Sequence, residues 1–169
     1  MNCKIGDTIV YGGSGVCEID DIRDIRYGRE RPQKYYVLRP LFVKQAMTVF
    51  VPCNNENLTS KMQPVMTRDE AMDLIDSIKS VKCDWIEDRN ERKDLFSQKL
   101  SGGNRKEIVE VISSISEHKE RLGEEGKTLN MQDEKMLSDA TQRINAELAV
   151  ALDMKPDQVV ELIRARKAG

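Results

Sequence analysis

The sequence predicts an α+β protein with its two classes segregated: a small, strongly bent sheet or SH3-like barrel over residues 1–66, then an all-α bundle of about four to five helices over residues 67–169. Three observations carry this. Up to about residue 66 the apolar residues fall in short β-branched runs cut by turn residues, the pattern of strands. From Thr67 the apolar spacing becomes three to four residues, the helical one. No repeat and no low-complexity linker separates the halves, so the helix beginning at Thr67 is expected to join them directly. With 169 residues and 39% hydrophobic content, the chain can build a core in each half.

The strand candidates in order are KIGDTIVYG, GVCEIDDIRDI, KYYVLRPL and MTVFVP. Gly12, Gly13, Ser14 and Gly15 supply the tightest loop and RYGRERPQ a longer polar one. A glycine cluster can cradle phosphate, but this one lacks the GK[ST] ending of a P-loop and precedes a strand rather than a helix, which favours a hairpin turn. The helical half opens on TRDEAMDLIDSI, where Thr67 and Glu70 have capping-box spacing. Asp84 can cap a second helix running to about Leu100, stopped by Ser101, Gly102 and Gly103. A third, from about Asn104 to Leu122, puts Ile108, Val111, Ile112 and Ile115 on one face, and GEEGKT breaks it. Asn130 and Asp133 start a fourth that carries Met136, Leu137, Ala140, Ile144, Leu148 and Leu152. Pro156 begins a fifth with Val159, Val160, Leu162 and Ile163.

Composition excludes several functions. The apolar runs, AELAVAL among them, fall far short of the ~20 residues that span a bilayer. MNCKIGDTIVYGG lacks the apolar stretch and cleavage site of a secretory signal, so a cytoplasmic location is expected. The four cysteines, Cys3, Cys17, Cys53 and Cys83, form no CxxC pair, and His118 is the single histidine. Neither a metal nor a cofactor is therefore expected, and the thiols read as small buried hydrophobes. Net charge is −2, so any contact with nucleic acid must be local and weak. Walker motifs are missing, which removes ATP-driven work. No nucleophile sits in a recognisable elbow, and His118, flanked by charges in SEHKER, reads as a solvated surface histidine. Glu124 and Glu125 lie in a polar loop. The chain is expected not to be an enzyme.

The segment CDWIEDRNERKD holds the only tryptophan. On a helix starting near Trp85, Arg89, Arg92 and Phe96 share its face, with Lys93 and Lys99 at the edge. Guanidiniums can hold phosphates while the flat indole packs against sugars or an unstacked base step. The competing reading has Trp85 and Phe96 facing the core, Arg92 paired with Asp88, and Arg89 solvated.

Over almost its whole length the chain resembles the CarD/CdnL family of bacterial RNA polymerase-binding transcription factors. The resemblance rests on KIGDTIVYGGSGV, YYVL, MTVFVP and PVMTRDEA, then DWIEDRNER, KLSGGN with EIVEVI, and DEKMLSDATQRINAELAVAL, in that order. Each stretch alone is weak; the ordered set is specific. The first half is also similar to the polymerase-interacting domain of the transcription-repair coupling factor, a helicase whose ATPase motifs are absent here. The resemblance implies a Tudor-like β domain (1–66) docking on the polymerase β-subunit lobe, and a helical domain (67–169) contacting promoter DNA at the upstream edge of the bubble. It further implies that Trp85 wedges into the minor groove and stabilises the open complex, with Arg89, Arg92 and Lys93 as the nearby basic residues.

Some positions depart from the family pattern. Glu87 and Asp88 stand where some members are basic, so DNA affinity is expected to be lower. Phe50 stands where certain members have arginine, and Gln63 replaces an arginine common before the proline. The expected polymerase-binding strand comprises Met47, Thr48, Val49, Phe50, Val51 and Pro52, with Val49 and Val51 inward and Phe50 outward. A monomer is expected, with a domain-swapped dimer as the alternative. Two rival functions stay open: a polymerase-binding adaptor that does not touch DNA, and an enzyme or thiol sensor using Cys3, Cys17 or Cys53.

Overall fold

The computed structural model describes residues 1–169. The chain divides into two compact units, Met1–Val65 and Met66–Gly169, and each has its own buried core.

The first unit is a five-stranded antiparallel sheet in the order β4-β3-β2-β1-β5. Its strands are β1 (Thr8–Tyr11), β2 (Gly15–Ile25), β3 (Gln33–Pro40), β4 (Val49–Pro52) and β5 (Met62–Pro64), with a one-turn helix α1 (Glu56–Thr59) between the last two. The glycine cluster is the β1–β2 turn, where Gly12 and Gly15 take φ of 42° and 68°, values that side chains disfavour. In β2 the pairing with β3 slips between Ile19 and Asp21. Such a bulge bends a strand and sharpens its twist, which lets one long strand serve both halves of the sheet. Beneath it pack Cys3, Ile9, Cys17, Ile19, Leu38, Val51 and Met62. The fifth strand, β5 in KMQP, is not among the four strand runs the sequence marks, because it is three residues long and ends on a proline. Strands β4 and β5 are the two edges of the sheet.

The second unit contains α2 (Arg68–Ser77), α3 (Arg89–Ser101), α4 (Arg105–Glu124), α5 (Met131–Leu152) and α6 (Pro156–Ala168). Its helix starts are chemically marked. The Thr67 hydroxyl accepts from the Glu70 amide, and the Glu70 carboxylate accepts from the Thr67 amide at 2.7 Å, a complete capping box. Asn104 and Asn130 cap α4 and α5 through their side chains. Leu74 and Ile75 of α2, Ile108 and Val109 of α4, Ile144 and Leu148 of α5, and Val159 of α6 form the main core. Phe96, Val111 and Ile115 form a second, smaller cluster between α3 and α4. Glu147 of α5 is buried, accepting the Met66 amide at 3.0 Å and the Arg105 guanidinium at 2.9 and 2.6 Å. No helix is long and apolar enough to cross a membrane.

One helix starts later than its sequence suggests. The N-cap of α3 is Asp88, whose carboxylate accepts from the Asn90 and Glu91 amides at 3.0 and 2.8 Å. Asp84 caps nothing, and Trp85 lies ahead of the helix rather than on it.

Candidate nucleic-acid interface around Trp85

Residues 78–88 run from α2 to α3 without regular structure, and the bundle ties them down. The Ser113 and Ser114 hydroxyls on α4 donate to the carbonyls of Val81 and Asp84 at 3.2 and 3.4 Å. Arg92, one turn inside α3, reaches back and donates through Nη1 to the carbonyls of Ile86 and Glu87 at 2.6 and 3.1 Å. Carbonyls on both sides of Trp85 are thus occupied by side-chain donors, which ties its backbone down outside α3. The half-buried indole packs on Phe96, Val111 and Ile115.

Arg92 is the keystone of this arrangement. Its side chain is 5% exposed, and it pairs with Asp133 of α5 through Nε at 3.3 Å and Nη2 at 2.8 Å. Asp133 in turn accepts from the Asn130 amide group at 2.5 Å. A guanidinium is tolerable at that burial only because four acceptors and a counter-charge meet it. The same guanidinium carbon lies 4.2 Å over the Trp85 ring, a cation–π contact strengthened by desolvation. Two sequence expectations are corrected here. Arg92 does not pair with Asp88, which is engaged as a helix cap. Nor does it stand free to grip a phosphate, because its donors face the protein interior.

The larger surprise is His118. Its imidazole stacks on Trp85 with ring centroids 3.7 Å apart and planes 9° from parallel. It is not the solvated residue its charged flanks suggest. A legible signal existed: His118 lies three residues after Ile115 and seven after Val111, both fully buried, so it continues their stripe along α4. A stacked imidazole from α4 and a guanidinium from α3 therefore meet on the one indole, and Asp133 of α5 holds the guanidinium in place.

The remaining basic candidates are exposed. Arg89 donates to the Gln132 side chain at 3.2 Å, and Lys93 faces solvent on α3. Lys99 belongs elsewhere, paired with Glu110 at 2.6 Å. Arg89, Lys93 and the open part of the indole are what this face offers to an external polyanion. Glu87 and Asp88 are exposed just ahead of Arg89 in the chain and subtract from that attraction.

In the sheet unit, β4 pairs with β3 alone, Val37 opposite Phe50 and Leu38 opposite Val49. Along it Val51 is fully buried, Val49 half-buried, and Phe50 is 40% exposed. Met47 and Thr48 precede the strand and are exposed, and Pro52 closes it. An unpaired edge with an outward aromatic is suited to receiving another strand.

All four thiols are free. Burial is the main influence raising the pKa of each, and it pushes Cys17 up to about 11. Neutral thiols are poor nucleophiles, so this environment lends the thiol-sensor reading no support. No group of three or more His, Cys, Asp or Glu side chains is placed to hold a metal ion. A groove of about 660 Å³ in the bundle is floored by Leu74, Val109, Ile112 and Ile144. Its polar rim has no histidine to activate Ser113 or Ser116.

Two family models match the chain. Residues 3–66 match the CarD-like/TRCF RID domain, and residues 73–164 match the CarD C-terminal domain. No curated protein gives a significant match.

Proposed function

We propose, from the premise that the chain belongs to the CarD family of non-enzymatic, RNA polymerase-interacting transcription factors, that it stabilises the promoter open complex. In this reading β4 adds to the β-subunit lobe of the polymerase, and the helical unit meets promoter DNA at the upstream edge of the bubble. Trp85 enters the distorted minor groove there. Arg89 and Lys93 hold the backbone beside it, and the protein acts as a monomer.

The observation that carries the reading is the state of the one tryptophan: half-exposed, yet gripped by a stacked imidazole and a buried guanidinium. A purely structural indole needs no such grip on a surface segment. A wedge does, because an unstacked base step resists insertion and a loose ring would yield to it. The net charge of −2 fits a factor delivered by its polymerase. Tethering supplies a high local concentration, and only a small added contact is needed. About 1.4 kcal/mol shifts an open–closed equilibrium tenfold.

A specific observation also favours a second reading. With Arg92 consumed internally, Arg89 and Lys93 are the exposed basic candidates that remain, and exposed Glu87 and Asp88 directly precede them. That balance suits an adaptor that binds polymerase without touching DNA. Open-complex lifetime on a promoter template, measured with a polymerase pull-down, decides between them. Trp85→Ala is expected to shorten the lifetime several-fold while pull-down is unchanged. An unchanged lifetime with retained pull-down refutes the wedge and leaves the adaptor.

A further inference from the structure

We infer that His118 is a positioning residue for Trp85: its imidazole, stacked on the indole, sets the ring in the one orientation from which it enters DNA. The inference rests on the reading of Trp85 as the DNA-entering group.

The geometry carries it. At 3.7 Å and 9° the two rings are in full face-to-face contact rather than the edge-on or offset arrangement that aromatic pairs prefer when packing alone decides. A backbone fixed on both sides of Trp85 leaves the two side-chain torsions as the ring's remaining freedom. Arg92, itself immobilised by Asp133, limits that freedom through its cation–π contact. His118 comes from a different helix, so the indole is referenced to α4 as well as to α3. Histidine suits this place better than leucine or phenylalanine would. It offers a flat face for stacking, while its nitrogens tolerate the half-exposed position and the water around it.

Orientation matters because fixing even the two torsions of an indole on binding is costly. A ring already set does not meet that cost at insertion, and the saving corresponds to about two- to tenfold in the affected equilibrium. His118 then contributes to open-complex lifetime without touching DNA.

The chain's composition supplies a clean reporter, since Trp85 and His118 are its only tryptophan and only histidine. The experiment compares wild type with His118→Ala, His118→Phe and Trp85→Ala as full-length proteins. It measures open-complex lifetime with bacterial RNA polymerase holoenzyme, and Trp85 fluorescence anisotropy and acrylamide quenching in the free protein. His118→Ala is expected to shorten the lifetime about two- to tenfold, lower the anisotropy and raise the quenching. His118→Phe, which can stack, restores all three towards wild type. Should His118→Ala lose its cooperative thermal transition, His118→Gln against His118→Phe carries the comparison, with the flat residue expected to retain lifetime and the amide to lose it.

A folded His118→Ala, or His118→Gln in its stead, with wild-type lifetime overturns the inference while leaving the wedge standing, provided Trp85→Ala shortens the lifetime. A wild-type lifetime for Trp85→Ala removes the wedge reading, and the inference falls with it.

Discussion

The Arg92–Asp133 pair invites a quantitative test. Both side chains are about 5% exposed, with two charge-assisted hydrogen bonds between them and two more from Arg92 to the carbonyls of Ile86 and Glu87. Arg92→Ala leaves the Asp133 carboxylate buried with only Asn130 beside it, and Asp133→Ala strands the guanidinium. Each single substitution is therefore expected to cost about 3–5 kcal/mol, the penalty of an uncompensated buried charge. Arg92→Ala additionally forfeits its cation–π contact with Trp85, about 0.5–2 kcal/mol. The double variant Arg92→Met, Asp133→Leu removes both charges together and is expected to cost less than either single, since apolar replacements of such pairs are often near neutral. What remains is the loss of donors to two carbonyls, which water can partly replace. Urea unfolding followed at 222 nm and by Trp85 emission measures this, and at ~2 kcal/mol per molar urea a single variant shifts the midpoint by about 1.5–2.5 M. Singles that cost under about 1 kcal/mol, the range of an exposed pair, or a double equal to their sum, would refute the reasoning.

Three further outcomes are expected. Cys17 is neutral in the fold up to about pH 11 but ionises near 9.0 when exposed. Between those values the unfolded chain binds fewer protons, so its contribution to stability, complete below pH 9, falls by up to about 1.4 kcal/mol per pH unit; a Cys17→Ala variant that keeps the same alkaline slope in denaturant titrations contradicts this. Phe50→Asp at the β4 edge is expected to weaken polymerase binding about tenfold or more, with the thermal midpoint little changed because the ring is 40% exposed; undiminished pull-down argues that docking uses another surface. Glu147→Ala leaves the Met66 amide without its acceptor and strips Arg105 of its bidentate partner, a loss of about 2–3 kcal/mol. Calorimetry showing no change would mean that solvent substitutes fully for the carboxylate.

Whatever is written locally in the chain could be read from it. Thr67 and Glu70 form the expected capping box, and Asn104 and Asn130, where two helices are expected to start, prove to be their caps, because a cap is made within three residues of itself. The start of α3 was misplaced because Asp84 and Asp88 are equally good caps in isolation. The choice between them is made by contacts beyond the cap itself: Ser114 and Arg92 occupy the carbonyls of Asp84, Ile86 and Glu87. Asp133 was visible only as a residue at a helix start, since its partner lies 41 positions away. His118 was legible in principle, but its charged neighbours outweighed the helical stripe that Val111 and Ile115 lay down. The β-branched runs disclosed four strands, while β5 is too short to carry a period.

The long reach of Arg92 also orders events during folding. Local helices form within microseconds, whereas a contact across 41 residues must await closure of the intervening loop and docking of α5. Trp85 is therefore expected to take up its posture late, once α5 has docked and brought Asp133 to Arg92. A chain with only one indole carries a timekeeper for the last act of its own assembly: far-ultraviolet ellipticity should recover first in refolding, and the emission of Trp85 should follow.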